Sequence, residues 1–416
     1  MTAGPTRRMR CVTAESSTEF TRKNSGLAAV DAQPCATDPI AMTALGPRSS
    51  LPPAITSDVF RVFRDDGSID ERHDPRLTDQ ELRFLYTHMV QTRRIDERFI
   101  ALQRQGRIAF HVGSLGEEAA IIGSAFAMRP SDWIFPCYRE FGAALMRGLP
   151  LQRLVDNVFG NSGDTVKGRQ MPHHYTHRAC GLASISSPVG TQITQAVGFA
   201  WGSKIKHEDV SAIVYFGDGS TSSVDFHSGL NFAGVLKVPL VLFCRNNGWA
   251  ISVPVDRQTA SATFAEKGPA YGIPGVRVDG NDALAVVAVT RKAAKRAAEG
   301  KGPTLIEAIT YRMGGHSTSD DPNRYRGSEE MELWAQVDPI ERLQQLLISK
   351  GLWDTQRDVA LRDEIDEKFR QSVAKAEATP PPALETMFDD VYEKLPWHLA
   401  EQRAELLAGP RAPGGR

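Results

Sequence analysis

"YFGDGSTSSVDFHSGLNFAGVLKVPLVLFCRNNGWAIS" spans Tyr215–Ser252. Its first two residues close the apolar run "SAIVYF", which has the length and composition of a buried strand. Gly217–Asp218–Gly219 follows. "SVDFHSGLNFAGVLK" then reads as a helix, with Val224, Leu230 and Val235 among its apolar residues. "PLVLFCR" is a second strand, and it runs into Asn246–Asn247. A carboxylate thus ends one strand and a pair of amides ends the next.

The same alternation extends outward from Ser187 to Thr310. "TQITQAVGFAWGSK" reads as a helix and "GVRVDG" as a strand. "DALAVVAVTRKAAKRAAEG" is a helix with Asn281 or Asp282 as its cap and Gly300 as its stop. "PTLIEAITYR" is another strand. These strands are continuous apolar runs, as expected where both faces of a sheet are covered, so the fold class is α/β, a parallel sheet flanked by helices. Upstream, "TDQELRFLYTHMVQTRRIDERFIALQRQG" is helical, with Thr78 and Glu81 spaced as a capping box and Gly106 able to end it. "GEEAAIIGSAFAM" is a second helix. After Met313 comes a polar loop, and "DPIERLQQLLISKG" is a helix capped by Asp338 with Pro339 in its first turn.

Basic and acidic side chains nearly cancel, 49 against 50, for a net charge of -1. That leaves no global field to attract nucleic acid or an anionic membrane. The five cysteines form no CxxC pair, so neither a zinc site nor a disulfide framework is expected. A reducing, intracellular setting follows, and no apolar run is long enough for a membrane helix. Residues 1–55 are expected to be a disordered extension. Arg7, Arg8 and Arg10 hint at an organellar transit peptide, which would mean the mitochondrial matrix. Glu15, Glu19, Asp31 and Asp38 argue against it and for a bacterial-type cytoplasmic protein. Residues 56–395 read as the main domain and 396–416 as a C-terminal tail.

In an open parallel sheet, ligands collect beyond the carboxyl ends of the strands. The glycines around Asp218 permit close backbone approach, and a following helix start would offer N–H groups to a phosphate. Asp218 would repel that phosphate unless a cation lay between them. Mg²⁺ fits, because it takes one or two carboxylates and completes its octahedron with phosphate oxygens and water. Asn247 and the Trp249 carbonyl are further oxygen ligands. "GDGSTS" lacks the third glycine of a dinucleotide fingerprint, and GxxxxGK[ST], HExxH and GxSxG are absent.

"GDGSTSSVDFHSGLNFAGVLKVPLVLFCRNN" resembles the thiamine-diphosphate signature, which opens with Gly-Asp-Gly and closes with paired Asn. From about residue 75 to 345 the chain resembles the alpha subunits of the decarboxylating E1 component of 2-oxo-acid dehydrogenase complexes. "GRQMPHHY", "SISSPVGTQITQAVG" and "YRMGGHSTSDDPNRYR" resemble the branched-chain members. Pyruvate members usually read "GHSMSDP" at the last of these.

The resemblance implies a thiamine-diphosphate-binding fold with Asp218, Asn247 and the Trp249 carbonyl as Mg²⁺ ligands. It assigns Tyr138, Arg139, Ser187, Val189, Gln192, Gly219, Ser220 and Arg245 to the cofactor, with Arg139 reaching the diphosphate. A guanidinium fork suits that task. Ser186, Pro188, Thr191 and Gln192 match a loop for a monovalent cation such as K⁺. His316 is implied as the catalytic proton donor or acceptor. His111, His173 and His174 either line the entrance or are structural. The family usually has Tyr where His111 stands. Ser317 matches a phosphorylated loop position in animal members.

The implied activity is decarboxylation of branched-chain 2-oxo acids with reductive acylation of lipoyl groups. The glutamate that activates the aminopyrimidine is expected from a separate beta subunit, in an α2β2 heterotetramer docked on a lipoyl-bearing acyltransferase. Pyruvate or acetoin is the alternative substrate. An NAD-linked oxidoreductase and a non-catalytic assembly subunit are the readings from other classes.

Overall fold

The protein is described from a computed structural model, which covers residues 52–409. The expectations for residues 1–51 and for the tail from residue 410 lie outside the described residues. In chain order the main elements are α1 (Asp79–Arg104), α2 (Glu118–Ala127), β1 (Trp133–Phe135), α3 (Phe141–Met146), α4 (Leu151–Phe159), α5 (Thr191–Ile205), β2 (Ala212–Gly217) and α6 (Val224–Leu236). There follow β3 (Leu240–Asn246), the hairpin β4 (Trp249–Ala250) and β5 (Val253–Pro254), β6 (Gly275–Asp279), α7 (Ala283–Ala298) and β7 (Thr304–Ile309). The chain closes with α8 (Ser328–Ala335), α9 (Pro339–Ser349), α10 (Thr355–Ala378), α11 (Thr386–Asp389) and α12 (Trp397–Ala408). The last helix lies in the segment expected as a tail.

β1, β2, β3, β7 and β6 form one sheet in that order, with every pairing parallel. Period-two alternation sends successive side chains to opposite faces. Ile213, Tyr215, Val241 and Phe243 join a core with α1, α2, α7 and α10. Ala212, Val214, Phe216, Leu240 and Leu242 join a second core with α5 and α6. Both faces are therefore apolar, as the unalternating sequence of these strands implies.

Local signals set several boundaries. Thr78 Oγ1 accepts from the N–H of Glu81, while the Glu81 carboxylate takes the N–H of Thr78 at 2.8 Å, completing the capping box. Asp282, rather than Asn281, caps α7 by accepting from the N–H of Ala285 at 2.9 Å. The start of α6 agrees with the sequence reading, which begins the helix at Ser223. A 3₁₀ turn over Asp218–Ser222 intervenes, and Ser223 caps the helix through the N–H of Phe226. α6 buries Phe226, Gly229, Leu230 and Ala233, an i, i+3, i+4, i+7 stripe packed on α5. A Cβ on Gly229 would meet Ile193 Cγ2 at 2.6 Å, so glycine sets how closely these helices approach. Val224 and Val235 fall on the other face and are 79 % and 71 % exposed.

Residues before α1 are also packed. The N–H of Phe60 donates to Arg277 O, and the N–H of Asp279 donates to Phe60 O, both at 3.0 Å, along the outer edge of β6. Asp282 Oδ2 accepts from the N–H groups of Val62 and Phe63, each at 2.7 Å. Cys137, Cys180 and Cys244 are buried free thiols. Among the described residues no helix is long and apolar enough to cross a membrane.

Candidate active site

Gly217 pairs with Arg245 in the β2–β3 register, so Asp218 and Asn247 emerge at the carboxyl ends of neighbouring strands. A Cβ on Gly219 would meet that of Ala250 at 2.7 Å, which explains a glycine where the two turns close on each other. Asp218 is 1 % exposed. Its Oδ2 accepts from Gln258 Nε2 at 2.6 Å, and the backbone N–H of Asn247 also approaches it. Among the described residues no basic side chain pairs with it. Burial pushes the Asp218 carboxyl above its ordinary range, and the charge of Glu117 adds to the rise. Asn247 donates from Nδ2 to Glu117 Oε1 at 2.9 Å, and its Oδ1 accepts from the N–H of Trp249 at 3.3 Å. The Trp249 carbonyl accepts from Arg312 Nη1 at 3.2 Å, which leaves it a second lone pair.

Arg245, in β3, is clamped by two buried carboxylates. Nη1 bonds Glu117, and Nη2 lies 2.5 Å from Glu140. The other oxygen of Glu140 accepts from the N–H groups of Cys137 at 2.9 Å and Arg139 at 3.2 Å, shaping the turn that carries Tyr138 and Arg139. Sequence reasoning missed Glu117, Glu140 and Gln258. Glu117 stood in view in "GEEAA", but its partner is 128 positions away.

Arg139 is buried and donates through Nη1 to Gly113 O. Its Nη2 donates to His316 Nδ1 at 3.1 Å and to His316 O at 2.9 Å. The expected diphosphate ligand is thus lodged against the loop after β7. Burial, with the positive charges of Arg139 and Arg312, lowers the pKa of His316 to about 4. The ring is neutral, and the bond from Arg139 to Nδ1 puts its proton on Nε2. The N–H of His316 donates to Asp320 Oδ2 at 2.6 Å, and that oxygen also accepts from Tyr325 OH. Tyr325 OH in turn accepts from Arg312 Nη2 at 2.8 Å. A continuous set of bonds therefore links the Trp249 turn to His316. The Tyr138 ring stands edge-on to His316 with centroids 6.0 Å apart.

The 186–192 turn gathers three of its four expected cation ligands. Ser186 Oγ and Thr191 Oγ1 are 2.7 Å apart, and Thr191 Oγ1 donates to Pro188 O at 3.0 Å. Gln192 donates from Nε2 to Tyr215 O at 2.9 Å, while its Oε1 is buried without a partner. Ser187 bonds His174 Nε2, and Val189 is exposed. Ser220 is buried in the 3₁₀ turn after Gly219. His111 and His173 are fully buried, and His111 also contributes to the wall of a cavity behind the loop after β7. Burial and the neighbouring His111 hold His173 well below the usual histidine range. A cavity of about 610 Å³ opens behind the loop after β7, walled by Ile100, Leu115, Met313, Ser317 and Arg326. Asp218 and Asn247 are not in its wall.

A parallel sheet carries an uncompensated acid and an amide at adjoining strand ends, where ligands of open α/β sheets collect. The dehydrogenase E1 component family matches residues 86–385, and the chain belongs to it. Over 350 residues the chain is 43 % identical to the mitochondrial 2-oxoisovalerate dehydrogenase subunit alpha 2 of Arabidopsis thaliana, covering 84 % of this chain and 74 % of that one. The corresponding alpha subunit of Caenorhabditis elegans is 42 % identical over 353 residues, covering 84 % and 82 %. That of Homo sapiens is 41 % identical over 350 residues, covering 84 % and 79 %.

Proposed function

We propose that this chain is the alpha subunit of a branched-chain 2-oxo-acid dehydrogenase, decarboxylating acids such as 3-methyl-2-oxobutanoate and passing the acyl group to lipoyl carriers. The observation that carries the reading is Asp218, a buried carboxylate beside a second one, Glu117, with no basic partner among the described residues. A buried charge of that kind calls for a cation. Among the described residues no group of three or more His, Cys, Asp or Glu side chains is placed to hold a metal ion. One carboxylate, one amide oxygen and one carbonyl is a donor set for Mg²⁺ carrying a diphosphate, and it does not suit zinc.

Thiamine diphosphate fits the same residues. Arg245 Nε and Thr221 Oγ1 are buried polar atoms without partners beside the strand-end turns. When bound, the cofactor supplies the electron sink for loss of CO₂ from a 2-oxo acid. Asp218, Asn247 and the Trp249 carbonyl would hold Mg²⁺, and Arg139 would supply positive charge to the diphosphate. Glu117 and Glu140 fix Arg245 and the Tyr138–Arg139 turn. His316 holds a proton on Nε2 and stays neutral at physiological pH, so it can offer a hydrogen bond from Nε2 to an oxygen that gains negative charge. The 186–191 turn would take K⁺.

The partner is a beta subunit that completes the site in an α2β2 assembly, which then docks on a lipoyl acyltransferase. The outer faces of α5 and α6 support such a partner. Trp201, Ile205, Val224, Phe232 and Val235 are exposed there, and Gly198 and Gly202 face open space. The test is to assemble the chain with a beta subunit, thiamine diphosphate and Mg²⁺ and compare decarboxylation of 3-methyl-2-oxobutanoate with pyruvate. Branched-chain turnover should dominate. Faster pyruvate turnover would overturn the substrate assignment, and binding of NAD in place of thiamine diphosphate would overturn the class.

A further inference from the structure

Behind the site lies a buried polar chain that the reading above does not use. Asp96 on α1 is completely buried, as are His111 and His173. His111 Nε2 bonds Asp96 Oδ1, and His111 Nδ1 lies 2.7 Å from His173 Nε2. His173 Nδ1 has no partner. Asp96 has no arginine or lysine partner among the described residues, and its second oxygen accepts from the N–H of Ser114 at 2.6 Å. The walls are apolar, with the Phe99 ring 5.1 Å and the Phe141 ring 6.2 Å from that of His111. His173 adopts a left-handed backbone, with φ of 68°. Three polar groups in an apolar wall cost stability unless their geometry does something hydrophobic residues could not.

The carboxylate shapes the turn from His111 to Ser114. It bonds the side chain at one end and the backbone at the other. Gly113 passes so close that a Cβ there would meet Asp96 Oδ1 at 2.6 Å. The outer side of this turn holds the loop that carries His316. The N–H of His111 donates to Thr318 Oγ1, and the N–H of Thr318 donates to His111 O, both at 3.0 Å. Gly113 O receives Arg139, whose other terminal nitrogen bonds His316.

We propose that Asp96 and His111, backed by His173, are positioning residues for His316. Their buried bonds fix the 111–114 turn, and that turn fixes both His316 contacts: the Thr318 backbone beside it and the Arg139 guanidinium on its ring. The proposal rests on the catalytic reading of His316 given above.

The test uses the enzyme assembled with its beta subunit, thiamine diphosphate and Mg²⁺, and compares D96N, H316A and the double variant. D96N should lower kcat by about 10- to 100-fold, the usual penalty for small misplacement of a catalytic group. KM for the 2-oxo acid should change little. Tryptic cleavage after Arg324 and Arg326 should quicken. In the H316A background D96N should lower kcat no further, because its effect runs through the missing ring. Equal fractional losses in both backgrounds would mean a merely structural role and would overturn the proposal. If D96N does not fold, H111F carries the same expectations, since it keeps the ring and removes both nitrogens. H316A at wild-type kcat would overturn the catalytic reading of His316. An impaired H316A beside an unaffected D96N would overturn only the positioning role.

Discussion

Asp218 spends folding stability on a ligand. Its pKa is raised by burial, so the folded state holds a proton that the unfolded chain releases. The ligand-free protein therefore loses stability as pH rises through the window above the ordinary aspartate value. D218N should melt higher than wild type at neutral pH without ligand, yet show no Mg²⁺-dependent heat of thiamine diphosphate binding by calorimetry. His316 has the opposite protonation balance. Below its ordinary value of 6.5 the unfolded chain takes up a proton that the folded ring refuses until about pH 4. Stability should fall as pH drops across that interval, and thermal melts of H316Q should show a shallower fall than wild type. Arg245 holds two buried carboxylates, so R245M should cost about 3–5 kcal/mol in urea unfolding by leaving them unpaired. Asp218 and Asn247 were legible in the sequence because a small polar group ending an apolar run is a local signal. Glu117 and Glu140 were not, because the arginine that gives them meaning arrives on a distant strand.

At the scale of elements, caps read well and faces read poorly. Thr78 with Glu81, Asp282 and Asp338 all act within a few residues of themselves, so spacing alone finds them. On α6, periodicity located the helix, but Val224 and Val235 are as apolar as Leu230 and lie on the opposite face. What separates them is α5, packed on one side only. F232D on the exposed face should leave the melting temperature of the isolated chain nearly unchanged, since exposed substitutions usually stay within about 0.5 kcal/mol. The same variant should reduce co-elution with the beta subunit in gel filtration. Unchanged co-elution would place the partner elsewhere. The stretch from Pro52 to Arg76 gave no sequence signal, since its order comes from pairing with β6 and from one distant carboxylate.

For the whole molecule, strand–helix alternation established a parallel sheet but not its order. β7 inserts between β3 and β6, a choice made by packing across the sheet and invisible to local patterning. The turns proposed to bear the ligands follow β2 and β3, so cofactor and metal should brace the middle of that sheet. Saturation at about 100 times Kd stabilises by about 2.7 kcal/mol, and EDTA should return the melting temperature to the ligand-free value. The Phe60 pairing has a separate meaning. β6 is an outer strand, and bare outer strands invite pairing with other chains. By covering part of that edge, and by sharing the carboxylate that caps α7, the segment around Phe60–Phe63 acts as a guard against self-association. Shortening the chain past residue 64 would therefore turn a sheet margin into an adhesive surface.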